Sequence, residues 1–181
     1  MSILVISTSL KPASRSRVLA REAHRVARDL GPSEFVDLRD HPLPFADGAT
    51  FGQPAVENLS AAIREASAIL LAAPVYNFDL NAAAKNLIEH TGKAWEDKIV
   101  GFMLAAGAQR SYMAAQSFAG SLSLDFRSVV LPRFVYAVRE DVSPERILSD
   151  DITRRVGELV RTADIFSRAL APSAVVALAR T

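Results

Sequence analysis

The sequence predicts an α/β domain in which a five-stranded parallel sheet carries helices on both faces. Three observations lead there. Apolar, β-branched runs alternate with amphipathic helical stripes five times along the chain, and the segments joining successive runs are too long for hairpins. No repeat, low-complexity stretch or linker interrupts the alternation. A parallel strand pair needs a long crossover, usually a helix, whereas an antiparallel pair closes through a short turn.

The elements follow in order. "SILVIS" at 2–7 has no helical stripe and reads as a strand buried on both faces, the expected central strand. From Ser14 to Leu30 the apolar residues Leu19, Ala23, Val26, Ala27 and Leu30 recur at three and four, with Arg and Glu between them, and Gly31 and Pro32 end the helix. "EFVDL" at 34–38 reads as a second strand, and the two prolines and glycine of 39–48 as a loop. A helix over 54–66 places Val56, Leu59, Ile63 and Ala66 on one face. "AILLAA" at 68–73 is a third strand ending at Pro74, and 80–91 a helix with small side chains from Ala82 to Ala84. The strand at 98–106, a helix at about 109–122 and the strand "FVYAV" at 134–138 complete the sheet. The last helix carries Ile152, Val156, Leu159, Ala163, Phe166 and Leu170, with Asp150 and Asp151 as an acidic pair at its start. These boundaries give one domain over 1–171 and a C-terminal tail over 172–181, read as a mobile end or an interface arm, with the mobile end favoured.

Composition narrows the function. Half of the 181 residues are hydrophobic, enough to bury a full core. Twenty-one basic against 20 acidic residues leave a formal charge of +1, so no global field draws the chain to nucleic acid or to an anionic membrane. The absence of cysteine removes disulfides, thiolate nucleophiles and Cys-based metal sites. The longest apolar run, "AILLAAPV" at 68–75, is too short to span a bilayer, and no signal-peptide pattern opens the chain. The expectation is a soluble, cytoplasmic protein whose partners are small molecules or protein.

In parallel sheets of this kind ligands bind beyond the carboxyl ends of the strands. The chemistry is therefore expected in three loops, 8–16, 74–79 and 105–111. Loop one lies in "STSLKPASRSR", with five hydroxyls and three cations between a strand and a helix start. Ser9, Ser14 and Ser16 can donate to phosphate oxygens, and Lys11 or Arg15 can balance their charge. The plain alternative is that Ser14 only caps the helix. The loop lacks the glycine patterns of dinucleotide folds and of the P-loop, which suits a phosphomonoester. Arg15 and Arg17 read as solvent-facing support. Loop two, "PVYNFD", offers Tyr76, Phe78 and the backbone of Asn77 to flank a flat ring and bond its polar edge, the plain alternative being Tyr76 as a turn or core aromatic. Loop three offers Gly107 for close backbone approach, with Gln109 and Arg110 beyond it. His24, His41 and His90 fall at no metal-ligand spacing, and the G-x-S-x-G elbow of a serine hydrolase is absent.

With these residues in place, the sequence resembles the NAD(P)H-dependent FMN reductases of the flavodoxin-like fold. The resemblance runs to about residue 170. The family loop G-S-x-R-x-x-S-x-N is matched at Ser9, Lys11, Ser14 and Ser16, and P-x-Y-N-x-S-x-P-G-x-L-K-N at Pro74, Tyr76, Asn77, Lys85 and Asn86. "SLKPASRS" is similar to the loop of members that feed reduced flavin to sulfonate-type monooxygenases. What the resemblance implies is a flavodoxin-like sheet of order 2-1-3-4-5 and an FMN cofactor reduced by NADPH or NADH. FMN phosphate falls to Ser9, Lys11, Ser14 and Ser16; its ring falls to Pro74, Val75, Tyr76, Asn77 and Gly107. Arg110 is assigned to nicotinamide or substrate. No side-chain acid or base is obligatory and no metal is expected. A homodimer or homotetramer, a flavin-dependent monooxygenase partner, or bound FMN passing electrons to quinones, azo compounds or metal oxyanions are further implications. A flavodoxin-like electron carrier and a flavin-free regulatory protein are the alternatives. The family's S-x-P-G stretch is replaced by Asp79, Leu80, Asn81 and Ala82, and bulky Phe78 stands where a small residue is usual.

Overall fold

The structure is a computed structural model that describes residues 1–48 and 52–170. At its centre is β1 (Ile3–Ser7), buried at every position as the unbroken apolar run requires. It pairs in parallel with β2 (Ser33–Asp37) on one side and β3 (Ala68–Tyr76) on the other, and β3 pairs in parallel with β5 (Ile99–Ala105). The order β2-β1-β3-β5 is the 2-1-3-4 part of the expected sheet. The fifth position is shared. β6 (Val129–Val130) pairs with the start of β5 and β7 (Val135–Ala137) with its end, and Arg133 takes a left-handed φ of 59° between them.

Helices cover both faces. α1 (Arg15–Leu30) and α5 (Asp150–Ala169) pack Leu19, Ala23, Val26, Val156, Leu159 and Ala163 against one side of the sheet. α2 (Pro54–Glu65), α3 (Ala82–Thr91) and α4 (Gln116–Phe126) bury Leu59, Ile63, Leu87, Phe118 and Leu122 on the other. Ser149 caps α5 by accepting the Ile152 N–H, and Asp150 and Asp151 occupy its first turn. Among the described residues no helix is long and apolar enough to cross a membrane. The C-terminal segment 172–181 lies outside the described residues.

Three expectations are corrected. The third strand runs through Pro74 to Tyr76. Thr8 N–H donates to the Ala72 carbonyl, so the alternation of the ladder turns the nitrogen of Pro74 to the same side, beyond the end of β1, where its missing N–H costs no strand bond. Next, the chain turns back as β4 (Asp79–Leu80), which pairs antiparallel with Val75 and Tyr76, so α3 starts at Ala82 rather than at residue 80. Finally, the segment after β5 begins as a 3-10 turn over Gln109–Ala115, kinked at Ser111, before α4 proper.

Gly101 sets how closely α5 approaches β5. A β-carbon there would lie 2.9 Å from a Leu70 methyl and 3.0 Å from a Leu159 methyl. The contact atoms are side-chain ends, so Ala is accommodated by small shifts while larger groups overpack the layer. Gly101→Val is expected to lower unfolding free energy by about 1–3 kcal/mol, measured by chemical denaturation against the parent chain.

Candidate functional site

The site is built around a side chain expected to face solvent. Arg17, in the first turn of α1, is 4% exposed. Its guanidinium pairs with Asp37 at the end of β2, with Nε 2.5 Å and a terminal nitrogen 3.3 Å from the two carboxylate oxygens. The same group donates to the carbonyls of Ser9 at 2.7 Å, Lys11 at 2.8 Å and Pro12 at 2.9 Å. Such a fork is available to arginine and not to lysine. Because a planar trans peptide points its C=O and N–H in opposite directions, the N–H groups of Leu10 and Ala13 are turned away from Arg17. Loop one thus has its acceptors drawn inward to one cation and its donors left for another partner.

Arg15 is the second correction. It is half-buried, and its guanidinium donates to the Ala106 carbonyl at 2.8 Å, tying the start of α1 to the end of β5. Burial lowers its pKa from the usual guanidinium value; the neighbouring charge of Arg139 acts in the same direction, while Glu140 and Tyr76 oppose. Arginine remains charged in proteins, so Arg15 places a partly desolvated cation here.

Ser9, Lys11, Ser14, Ser16, Pro74, Val75 and Tyr76, seven of the ten residues assigned from sequence, line one cavity of about 160 Å³. Ala13, Arg15, Ala105 and Pro144 complete the lining, and none of the lining residues is acidic. Two cations, three serines and the N-terminus of α1, whose first turn carries no carboxylate, make this an anion seat. Ser14 does two jobs. Its hydroxyl oxygen accepts the Arg17 N–H as the helix cap and sits 3.0 Å from the Ser16 hydroxyl. The Ser9 hydroxyl oxygen accepts the Lys11 N–H at 3.3 Å, leaving its own proton for a ligand. The volume is below the roughly 300–1,000 Å³ of a whole small-molecule pocket, which leaves room for a small anionic group only.

Asn77, Gly107 and Arg110 do not line this cavity. Asn77 and Phe78 form the two-residue turn between β3 and β4, with φ of 51° and 64°, the left-handed pair of a tight hairpin. Asn tolerates that conformation, while for a bulky aromatic it costs about 1–2 kcal/mol. The turn is held from below: the Ser117 hydroxyl donates to the Asp79 carboxylate at 3.2 Å, and Leu80 is buried. Gly107 is exposed, and nothing lies within 4 Å of where its β-carbon would sit. Loop three is nonetheless anchored. The Tyr136 hydroxyl donates to the Ala108 carbonyl at 2.6 Å and accepts the Ser111 N–H at 3.2 Å, and Tyr112 stacks on Phe134 with ring centroids 4.9 Å apart.

Sequence reading missed several residues. Asn81, noted only as a departure, is 6% exposed and locks α3 to loop one: its amide donates to the Thr8 carbonyl at 2.8 Å and accepts the Thr8 hydroxyl at 2.7 Å. Pro144 arrives from a distant loop with no local signal. Asn86, matched to the family motif, clamps the 39–48 loop through the Ala46 N–H and the Pro44 carbonyl. His90 also contacts the Pro44 carbonyl, at 2.9 Å. Among the described residues no group of His, Asp or Glu is placed to hold a metal.

A doubly covered parallel sheet with an anion seat at its carboxyl end defines a flavodoxin-like α/β protein. The chain belongs to the NADPH-dependent FMN reductase family, whose model matches residues 1–143. It is 29% identical over 115 residues to a probable NADPH:quinone oxidoreductase 2 of Oryza sativa, covering 59% of this chain and 57% of that one. It is 31% identical over 112 residues to an FMN-dependent NADH:quinone oxidoreductase of Bordetella parapertussis, covering 51% and 54%. The match therefore spans little more than half the length of these curated relatives. In fold it is similar to the NAD(P)H:acceptor flavoenzyme FerB of Paracoccus denitrificans, with a TM-score of 0.75, 18% identity and coverage of 92% and 97%. It is also similar to an archaeal flavodoxin, with a TM-score of 0.66, 9% identity and coverage of 93% and 99%.

Removing one partner of a buried, hydrogen-bonded ion pair costs about 3–5 kcal/mol. Arg17→Ala is expected to lose stability of that order. Arg17→Lys should recover only part of it, because one ammonium cannot serve Asp37 and three carbonyls together. Denaturation of both variants, beside Asp37→Asn, measures this.

Proposed function

We propose that this chain is an NAD(P)H-dependent flavin oxidoreductase that holds FMN by its phosphate in loop one. The observation that carries the reading is the cavity itself, lined by Ser9, Ser14, Ser16, Lys11 and Arg15, free of carboxylates, and bounded by Tyr76. FMN, when bound, supplies the hydride chemistry between nicotinamide and acceptor. The protein's own groups do the rest: the hydroxyls and cations fix the phosphate, Arg17 keeps the loop's donors turned outward, and Pro74, Val75, Tyr76 and Asn77 serve as the ring's wall. Open space over Gly107 suits close approach of a flat ring to backbone. Arg110, exposed near the end of loop three, stays assigned to nicotinamide or substrate.

Ser9→Ala with Ser14→Ala is expected to weaken FMN binding at least tenfold in a fluorescence titration. Unchanged affinity would reduce these serines to capping and loop structure.

Delivery of reduced flavin to a monooxygenase is the finer form of the proposal, resting on the "SLKPASRS" loop. A second reading, in which FMN stays bound and a quinone takes the electrons, is favoured by what the rice and Bordetella relatives are named for. NADPH and NADH oxidation measured with free FMN alone, and then with a quinone and only stoichiometric FMN, separates them. Turnover that needs excess FMN supports the first, and turnover that needs the quinone supports the second. Absence of FMN binding together with absence of NAD(P)H oxidation would overturn both. A homo-oligomer belongs to the same proposal. Ala82 and Ala83 line an apolar groove of about 530 Å³ with Leu10, Leu43 and Phe45, while Ala84 is already buried in the chain's own core.

A further inference from the structure

One side chain serves both the anion seat and loop three. Arg15 opens α1, is half-buried and lines the seat. A terminal nitrogen of its guanidinium donates to the carbonyl of Ala106, 91 positions away, at 2.8 Å. Among the described residues this is its only hydrogen bond, and it makes no ion pair. A guanidinium holds five N–H groups in one plane, so the bond to Ala106 leaves donors over for an anion.

The bond to Ala106 sets the direction of a donor in loop three. Ala106 is 1% exposed, and its N–H is fixed by the Ala137 carbonyl of β7 at 2.9 Å. Because a planar trans peptide points its C=O and N–H in opposite directions, a carbonyl held toward Arg15 turns the Gly107 N–H away from it. That N–H makes no hydrogen bond among the described residues, and open space lies over Gly107. Just beyond, the Tyr136 hydroxyl pins the Ala108 carbonyl. Gly107 therefore sits between two tied peptides, one held from β7 and the other from the seat. The charge on Arg15 is incompletely compensated where it lies. Burial opposes it most and Arg139 repels it, while Glu140 and Tyr76 offset only part of this. An anion in the seat supplies the missing partner, and a guanidinium fixed by that anion holds its bond to Ala106 in one geometry.

We infer that Arg15 is a positioning residue that couples the two halves of the site: an anion in the loop-one seat fixes, through the Ala106 carbonyl, the loop-three backbone that meets the flavin ring, so that phosphate and ring bind cooperatively. The inference rests on the flavin oxidoreductase reading and adds to it that the phosphate orders the wall against which its own ring lies. By linkage, each half tightens the other by the same factor.

The test takes FMN in two pieces, riboflavin and the phosphite dianion, which carries one oxygen fewer than phosphate and so leaves room for the riboflavin 5′-hydroxyl. Fluorescence titration of the full chain with riboflavin is expected to give a dissociation constant lower by about fivefold or more at saturating phosphite than without it. Phosphite titrated into the riboflavin-loaded chain should tighten by the same factor, and phosphite alone should compete with FMN. In Arg15→Lys the factor is expected to fall below about twofold while phosphite still competes with FMN, because an ammonium supplies the charge without the planar fork. Three results would overturn the inference: riboflavin affinity that phosphite leaves unchanged or weakens, phosphite that does not compete with FMN, or a factor as large in Arg15→Lys as in the parent chain. The parent titrations decide the coupling by themselves, whether or not the variant folds. Failure of the flavin reading shows separately, as a parent chain that binds neither FMN nor riboflavin.

Discussion

The buried Arg17–Asp37 pair is the interaction on which the functional end of this molecule depends. It joins the first turn of α1 to the end of β2 and gathers three carbonyls of loop one around a single guanidinium. Without it those acceptors would be left partly unsatisfied and the loop would have no reason to present its N–H groups in one direction. A charge is thus buried not for its own net stabilisation, which desolvation largely offsets, but to orient a polar loop that cannot form secondary structure. Asn81 completes the arrangement from the other side by bonding both the carbonyl and the hydroxyl of Thr8. The start of loop one is consequently fixed by α3 and the rest of it by β2.

The same end of the sheet carries the chain's irregular geometry. β3 outlasts β1 by four residues beyond the last paired position, Ala72, and folds back at once through Asn77 and Phe78. The extension projects Tyr76 and the hairpin beyond the layer in which the core is packed. Left-handed backbone at Phe78 is tolerated because β4, buried Leu80 and the Ser117–Asp79 contact determine the turn from its flanks. Loop three is pinned likewise, by Arg15 at Ala106 and Tyr136 at Ala108. Each of the three loops therefore hangs on side chains that belong to other elements.

Much of this was legible in the sequence. Unbroken apolar runs and three-four stripes place the strands and helices, and the loops at the carboxyl edge follow from the parallel connections. The residues assigned in loop one and in "PVY" line one cavity because each group is close in sequence and the sheet brings the two groups together. Asn77, Gly107 and Arg110 fall outside the cavity because position along a loop does not say which way its residues turn. The strand through Pro74 and the divided edge strand were hidden for a related reason: proline is forbidden in a ladder only on the side where a neighbour waits for its N–H, and the neighbour's end is not a local property.

By itself, the sequence determined the alternating layers, the buried central strand and a hydroxyl-rich, glycine-poor first loop, since these rest on periodicity and residue chemistry within short spans. Only the tertiary structure decided which cations build the loop and which face the cavity. Arg15 and Arg17 look alike in "SRSR", two residues apart, yet Arg17 is consumed by Asp37 and the carbonyls while Arg15 reaches Ala106, just past β5, and lines the seat. The difference lies in partners 20 and 91 positions away, and a charge's role is set by what surrounds it in space.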